Sequence, residues 1–367
     1  CRGVDQGLRE NLSAIFGQNY PEFEIVFVTD QADDPALKII EEVSRVWEDA
    51  QQPATRAIVA GAAIESGQKV HNLIAAVRVT DPVSEVFVFV DTDARPRPDW
   101  LRSLVAPLAD ESVGAATGYR WFVPVRGGLS SHLRAVWNAS IASALGERRE
   151  RNFCWGGSTA IRRLTFEKLE MLERWRGTLS DDFALTNALQ RANLPIHFVP
   201  QCLIPSFEDC TFGELLNFTT RQVKITRVYA PHLWKIVLAG NLLFITTFFG
   251  GLALVISRIW RGESSAIPLA ILITIFLLGV GKAFLRLRAA ARVLSPGGAR
   301  LGVADYVAHL TLWPLTAALY LYNAIAAGLS RRITWRGITY ELQSPTKTNI
   351  VSNSHLTDNV EKYERVR

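Results

Sequence analysis

Asp91-Thr92-Asp93 and Asp181-Asp182 are the residues with the most chemistry to offer. In the first pair, two carboxylates are separated by a single residue. Two hard oxygen ligands beside a phosphate site suit Mg²⁺ or Mn²⁺, with diphosphate oxygens and water completing the shell. The bland alternative is a solvated turn that merely ends a strand. In the second pair, Ser180 stands as an N-cap, and one acid is enough to favour the helix dipole. The other is free to serve as a general base. Lys69 opens an expected helix, where an ammonium meets phosphate, although an isolated lysine is more often simply exposed. Gly156-Gly157 lets the backbone come close to a ligand, or only turns the chain. Asp30 and Asp34 follow a strand and offer contacts to a base or ribose, with N-capping as the rival for Asp34.

The elements that must position these groups read as an α/β domain. Val86–Val90 is an apolar, mostly β-branched run, expected to be a strand buried on both faces. Asp91 and Asp93 fall where that strand leaves its sheet, the end at which open α/β sheets bind ligands. Cys1-Arg2-Gly3-Val4-Asp5 looks like a strand exit followed by a helix to Gly17, so a strand is expected before Cys1. Further strands are expected over Glu24–Val28, Ala57–Val59, Val113–Gly118 and Leu194–Val199. A basic helix over Phe218–Arg227 runs toward the membrane.

The C-terminal part of the chain is apolar. Of 367 residues 49% are hydrophobic, mean hydropathy is +0.12, and the excess is concentrated after residue 230. Segments Leu233–Ile256, Ala266–Leu285 and Tyr306–Leu329 are each long enough to cross ~30 Å of hydrocarbon. Pro314, Asp305 and His309 burden the third, which is expected to be broken or interfacial rather than one straight span. Arg286, Arg288, Arg292 and Arg300 are expected in a cytoplasmic loop after the second. The division is therefore 1–230, a catalytic domain; 231–330, membrane helices; 331–343, an interfacial segment; and 344–367, a disordered tail. Net charge is +5 with a pI near 9.1. The basic residues flank the apolar runs, which favours a membrane surface over nucleic acid as partner. The four cysteines show no zinc spacing and suit a reduced, cytosol-facing domain.

In this order the motifs resemble a family 2 glycosyltransferase, and within it the ceramide glucosyltransferase group. The resembling stretches are Arg2-Gly3-Val4-Asp5, Asp33-Asp34-Pro35-Ala36, Lys69-Val70-His71-Asn72-Leu73, Asp91-Thr92-Asp93, Asp181-Asp182-Phe183, Arg221-Gln222-Val223-Lys224 and Trp335-Arg336-Gly337. The resemblance implies a GT-A fold with a Rossmann-like mixed sheet, a UDP-sugar donor, a divalent metal, inversion at the anomeric carbon and a lipid alcohol as acceptor. It implies a multi-pass membrane protein whose catalytic domain faces the cytosol. It assigns Arg2, Gly3, Asp30, Asp34, Lys69 and Asp91 to the donor, and Asp93 with Asp91 to the metal. Asp182 becomes the base with Asp181 beside it, and Gly156, Gly157, Arg221 and Lys224 go to acceptor and diphosphate. Lys224-Ile225 stands where the family pattern has Arg-Trp, so a charge is kept while the planar fork and aromatic face are not. Diacylglycerol or a sterol-like lipid therefore fits as well as ceramide. A processive polysaccharide synthase and a non-catalytic membrane scaffold of the same fold are the rival readings.

Overall fold

The structure, a computed structural model, describes residues 1–5, 7–47 and 53–353. The expected tail beyond residue 353 lies outside the described residues. The described residues form two compact units: those within 1–121, 144–206 and 332–353 build the first, and 122–143 with 207–331 the second.

The first unit is mixed α/β, as the sequence leads one to expect. Strands β1 (Glu24–Thr29) and β2 (Ala54–Val59) pair in parallel. A second sheet has the order β3-β5-β4-β6, from β3 (Val86–Val90), β4 (Ala115–Val123), β5 (Ser158–Arg162) and β6 (Ile196–Phe207). Strand β5 runs antiparallel to both β3 and β4, whereas β1 and β2 are parallel, so the unit holds both kinds of pairing. The β3 run is not equally buried on both faces. Phe87 and Phe89 are buried, whereas Val86, Val88 and Val90 are half-buried. The two phenylalanines meet Phe166 and Trp175 edge-on or tilted, ring centroids 5.1–6.2 Å apart. Val70 and Ile74 of the helix Gln68–Val79 and Leu185 and Leu189 of the helix Asp181–Arg191 close that core. Both helices are thereby anchored on the face of β3, and their N-termini carry Lys69 and the Asp181-Asp182 pair.

Residues 332–353 are not an isolated interfacial segment followed at once by disorder. They form an antiparallel sheet, β7 (Arg332–Trp335), β8 (Ile338–Ser344) and β9 (Lys347–Asn353). Arg336 and Gly337 turn the first hairpin with φ of 47° and 77°, the left-handed pair that matches strand twist. Ile338, Tyr340 and Leu342 alternate inward. Tyr340 Oη accepts from the Gln68 backbone at 3.2 Å, and Arg336 reaches Asp5 Oδ2 at 2.6 Å, which binds this sheet into the first unit.

The second unit is helical. The helix Phe212–Tyr229 opens on a Thr211/Glu214 capping box. It packs with the helix Leu129–Ala142 through Trp137 and Phe218, and Tyr320 stacks on Trp137 at 4.8 Å. Helices Pro231–Trp260 and Ala266–Leu294 are long and apolar enough to cross a membrane. The latter continues through Arg286, Arg288 and Arg292, which are helical rather than in a loop. At ~1.5 Å per residue its length exceeds ~30 Å of hydrocarbon, so its last turns need not be apolar. The third apolar stretch is two helices, Val303–Thr311 and Trp313–Leu329, bent by 62°. Pro314 cannot supply the hydrogen bond that would carry the first helix into the second. Trp313 seats the bend among Phe244, Phe248 and Phe276.

Candidate active site

Ligand-binding groups in an open α/β sheet gather at the carboxyl ends of strands. Here β3 delivers Asp91 and Asp93 to that edge, and the start of the helix Gln68–Val79 delivers Lys69. Lys69 Nζ lies 2.7 Å from Asp91 Oδ1, 3.4 Å from Asp181 Oδ1 and 3.3 Å from the Gly156 carbonyl. One ammonium therefore ties the D-x-D turn to the acidic helix start. Arg120, from the middle of β4, binds Asp91 Oδ2 at 3.3 Å and Asp93 Oδ2 at 3.2 Å. Its guanidinium lies over the Trp155 ring, 4.8 Å from the centroid.

Gly156 and Gly157 make this crowding possible. A Cβ on Gly156 would sit 2.4 Å from Asp181 Oδ2 and 2.7 Å from Lys69 Nζ. One on Gly157 would sit 2.3 Å from the Trp155 ring and 2.8 Å from Asp91 Oδ2. The close approach read from the sequence is thus to the site's own side chains.

The charges are unequal. Burial pushes the Asp91 carboxyl up, but Lys69 and Arg120 outweigh it and hold it below the ordinary carboxylate range. Burial pushes Asp93 above that range, opposed by Arg120 and reinforced by Asp91. Asp93 Oδ1 is itself buried and finds no hydrogen-bond partner among the described residues. Asp181 is pushed up to about 6 by burial, with Lys69 opposing and Asp182 and Asp91 adding. Burial works against the Lys69 ammonium, yet Asp181, Asp91 and Asp182 raise it above its ordinary value.

The two acids of the helix start have different surroundings. Asp181 is buried against Lys69, while Asp182 is half-buried. Asp182 Oδ1 accepts from the Phe183 amide at 2.7 Å and from the Ser180 hydroxyl. Both are N-terminal helix contacts that leave its carboxylate at the open end of the element.

The profile of glycosyl transferase family 21 matches residues 1–348. The chain belongs to that family. Two solved structures align over nearly all of it: S. aureus TarS 1-349 at 12% identity, covering 96% of this chain and 97% of that one with a TM-score of 0.38, and TarS 1-349 in complex with UDP-GlcNAc, at 12% identity, 95% and 96% coverage and a TM-score of 0.37. At such scores neither carries an argument about this chain.

In this family 21 glycosyltransferase the remaining candidates sort by what they touch. Arg2 pairs with Asp30 at 3.5 Å. Asp34 receives the Gly3 amide on both oxygens, at 3.0 and 3.1 Å, and caps the helix Pro35–Val46 through Ala36 N at 2.8 Å. It therefore has a structural task beside any ligand. Arg336 adds a hydrogen bond to the Arg2 carbonyl at 2.8 Å, so the hairpin braces this end of the edge. Arg221 and Lys224 lie in the second unit, on the helix Phe212–Tyr229, with Arg221 over the Phe218 ring at 5.6 Å. Sequence reasoning missed Arg120. Its signal was available: a lone charge within the otherwise uncharged strand Ala115–Val123, where an arginine must find a carboxylate or stay out of the sheet.

Proposed function

We propose that this membrane-associated glycosyltransferase moves a hexose, glucose being the first candidate, from a UDP-sugar to a lipid hydroxyl, with inversion and a divalent metal. The observation that carries this reading is the single cluster of Lys69, Asp91, Arg120, Asp93 and Asp181, with Asp182 beside it at the head of the same helix, in a family 21 chain. Lys69 and Arg120 are the cations available to a diphosphate. Asp93 fits a divalent metal because a buried carboxylate oxygen without a donor is a hard ligand in want of a cation. Both oxygens of Asp91 are already engaged by Lys69 and Arg120, which makes it the organiser of the turn. A bound metal would stabilise negative charge on the departing diphosphate. Asp182 takes the proton of the attacking lipid hydroxyl. One displacement with one base inverts the anomeric carbon and needs no second nucleophile.

The two long helices support a lipid acceptor, since their large exposed apolar surfaces suit lipid. Ceramide and diacylglycerol are the two to compare. Membranes containing the chain, given radiolabelled UDP-glucose and each lipid in turn, are expected to yield a labelled lipid in one case. Label appearing only in a water-soluble polymer would overturn the lipid acceptor.

Connectivity supports one sidedness. The chain leaves the first unit near Phe207 and rejoins it at Arg332, and Arg336 and Tyr340 bond to Asp5 and Gln68 there. A chain that returns to its starting side crosses a bilayer an even number of times. Two long helices satisfy this if the bent pair does not cross, and the arginines at 331, 332 and 336 then stay on the catalytic side. In sealed membranes a cysteine at Glu263→Cys should label from the outside, and one at Lys347→Cys only after permeabilisation, since nucleotide sugars are cytosolic. Both labelling from one side would mean the count is wrong.

A further inference from the structure

Beyond the carboxyl end of β3 the three carboxylates of Asp91, Asp93 and Asp181 are answered at ion-pair distance, among the described residues, by two cations, Lys69 and Arg120. Lys69 and Arg120 divide Asp91 between them, one oxygen each. Asp93 receives only one end of the Arg120 fork, at 3.2 Å, and its buried Oδ1 has no donor among the described residues. Asp93 is therefore the acid of the turn with an oxygen left unsatisfied among the described residues, although Arg336 also acts on it electrostatically. Arg120 is not a surface side chain that wandered in. It rises from β4, which lies beyond β5 from β3, rests on the Trp155 ring, and spans both acids of the D-x-D turn with separate nitrogens.

We propose that Arg120 is an internal cation that competes with the divalent metal for Asp93 and is drawn from the carboxylates onto the diphosphate when donor and metal arrive together. The proposal deepens the metal–diphosphate reading above and rests on it. A guanidinium held at two carboxylates screens them from a solvent cation, which lowers affinity for metal alone. The same planar fork matches two phosphate oxygens better than it matches one oxygen from each of two acids. A diphosphate thus offers Arg120 a better partner at the moment it brings oxygen ligands for the metal. Donor and metal then bind synergistically through a positioning residue that touches both, and free metal does not hold the turn in a charge state hostile to the guanidinium. No bond is made or broken in this exchange.

The test is Mn²⁺ binding to the purified full chain in detergent, read by electron paramagnetic resonance of free Mn²⁺, with and without saturating UDP. Wild type should bind Mn²⁺ weakly alone and about tenfold or more tightly with UDP, within the usual span of coupling between sites. Arg120→Gln should bind Mn²⁺ alone about tenfold more tightly than wild type and lose most of the UDP effect. An unchanged or weaker affinity in Arg120→Gln would mean that Arg120 only props the turn, and the proposal fails. Arg120→Lys keeps the charge but cannot bridge both acids, so its affinity for Mn²⁺ alone should fall between the other two; a value outside that interval also overturns the proposal. Should wild type bind no Mn²⁺ even with UDP, the metal–diphosphate reading fails and takes this one with it. Synergy that survives intact in Arg120→Gln sinks the exchange alone.

Discussion

Asp182→Asn is expected to slow sugar transfer by ~10²–10⁴-fold, the usual worth of a positioned general base, while UDP binding stays within about threefold of wild type, since its coupling to the donor site is indirect. The substitution is clean because the amide oxygen of an asparagine can still accept from the Phe183 amide and the Ser180 hydroxyl, as Asp182 Oδ1 does. The helix start is kept and only the proton acceptor is lost. Asp181→Asn should behave differently. Asp181 is buried, and its carboxylate answers Lys69 at 3.4 Å; removing the charge leaves Lys69 one close carboxylate among the described residues, Asp91 at 2.7 Å. The expected result is weaker donor binding with a smaller loss in the transfer step. Single-turnover rates at saturating donor separate the two. A larger single-turnover loss in Asp181→Asn, or a collapse of UDP binding in Asp182→Asn, would reverse the roles of the neighbours.

The sequence made the acidic edge legible because two simple signals coincide there. A short apolar run ending in D-x-D marks a strand exit, and Ser180 ahead of two acids marks a helix start. The same logic found Lys69 and the glycine pair. Arg120 escaped because strand-forming residues surround it, and a charge inside such a run reads as an edge or a solvent face until the partner carboxylates are located in space. The insertion of β5 between β3 and β4 escaped for a related reason. Antiparallel neighbours separated by more than thirty residues, as Thr117 and Thr159 are, leave no local trace. The hairpin after Arg332 had a readable signal, alternation of Ile338, Tyr340 and Leu342 with polar residues, but its polar composition masks the period. The cut at residue 230 followed composition along the chain. The units instead follow packing: Trp137 and Phe218 join helices on either side of strand β6, and β7–β9 return to the first unit. The bend at Trp313 was legible because proline and ionisable residues in an apolar stretch are rare without a structural reason.

Asp93→Ala is expected to abolish transfer and, in the same variant, to remove UDP-dependent Mn²⁺ binding. The choice of Asp93 over Asp91 matters. Asp91 is held by Lys69 on one oxygen and Arg120 on the other, so its loss leaves two half-buried cations without their shared partner and disturbs the whole turn. Asp93 gives up one contact to Arg120, which keeps Asp91 at 3.3 Å. Its other oxygen is buried and without a donor among the described residues. A buried acceptor in that condition costs stability unless something else uses it, so removing the carboxylate should leave thermal stability equal to wild type or slightly higher. The pairing of a stable fold with lost metal binding separates a ligand from a structural acid. Full-rate transfer by Asp93→Ala in excess chelator would show that the diphosphate leaves without a metal, and its charge would then fall to side-chain cations such as Lys69 and Arg120.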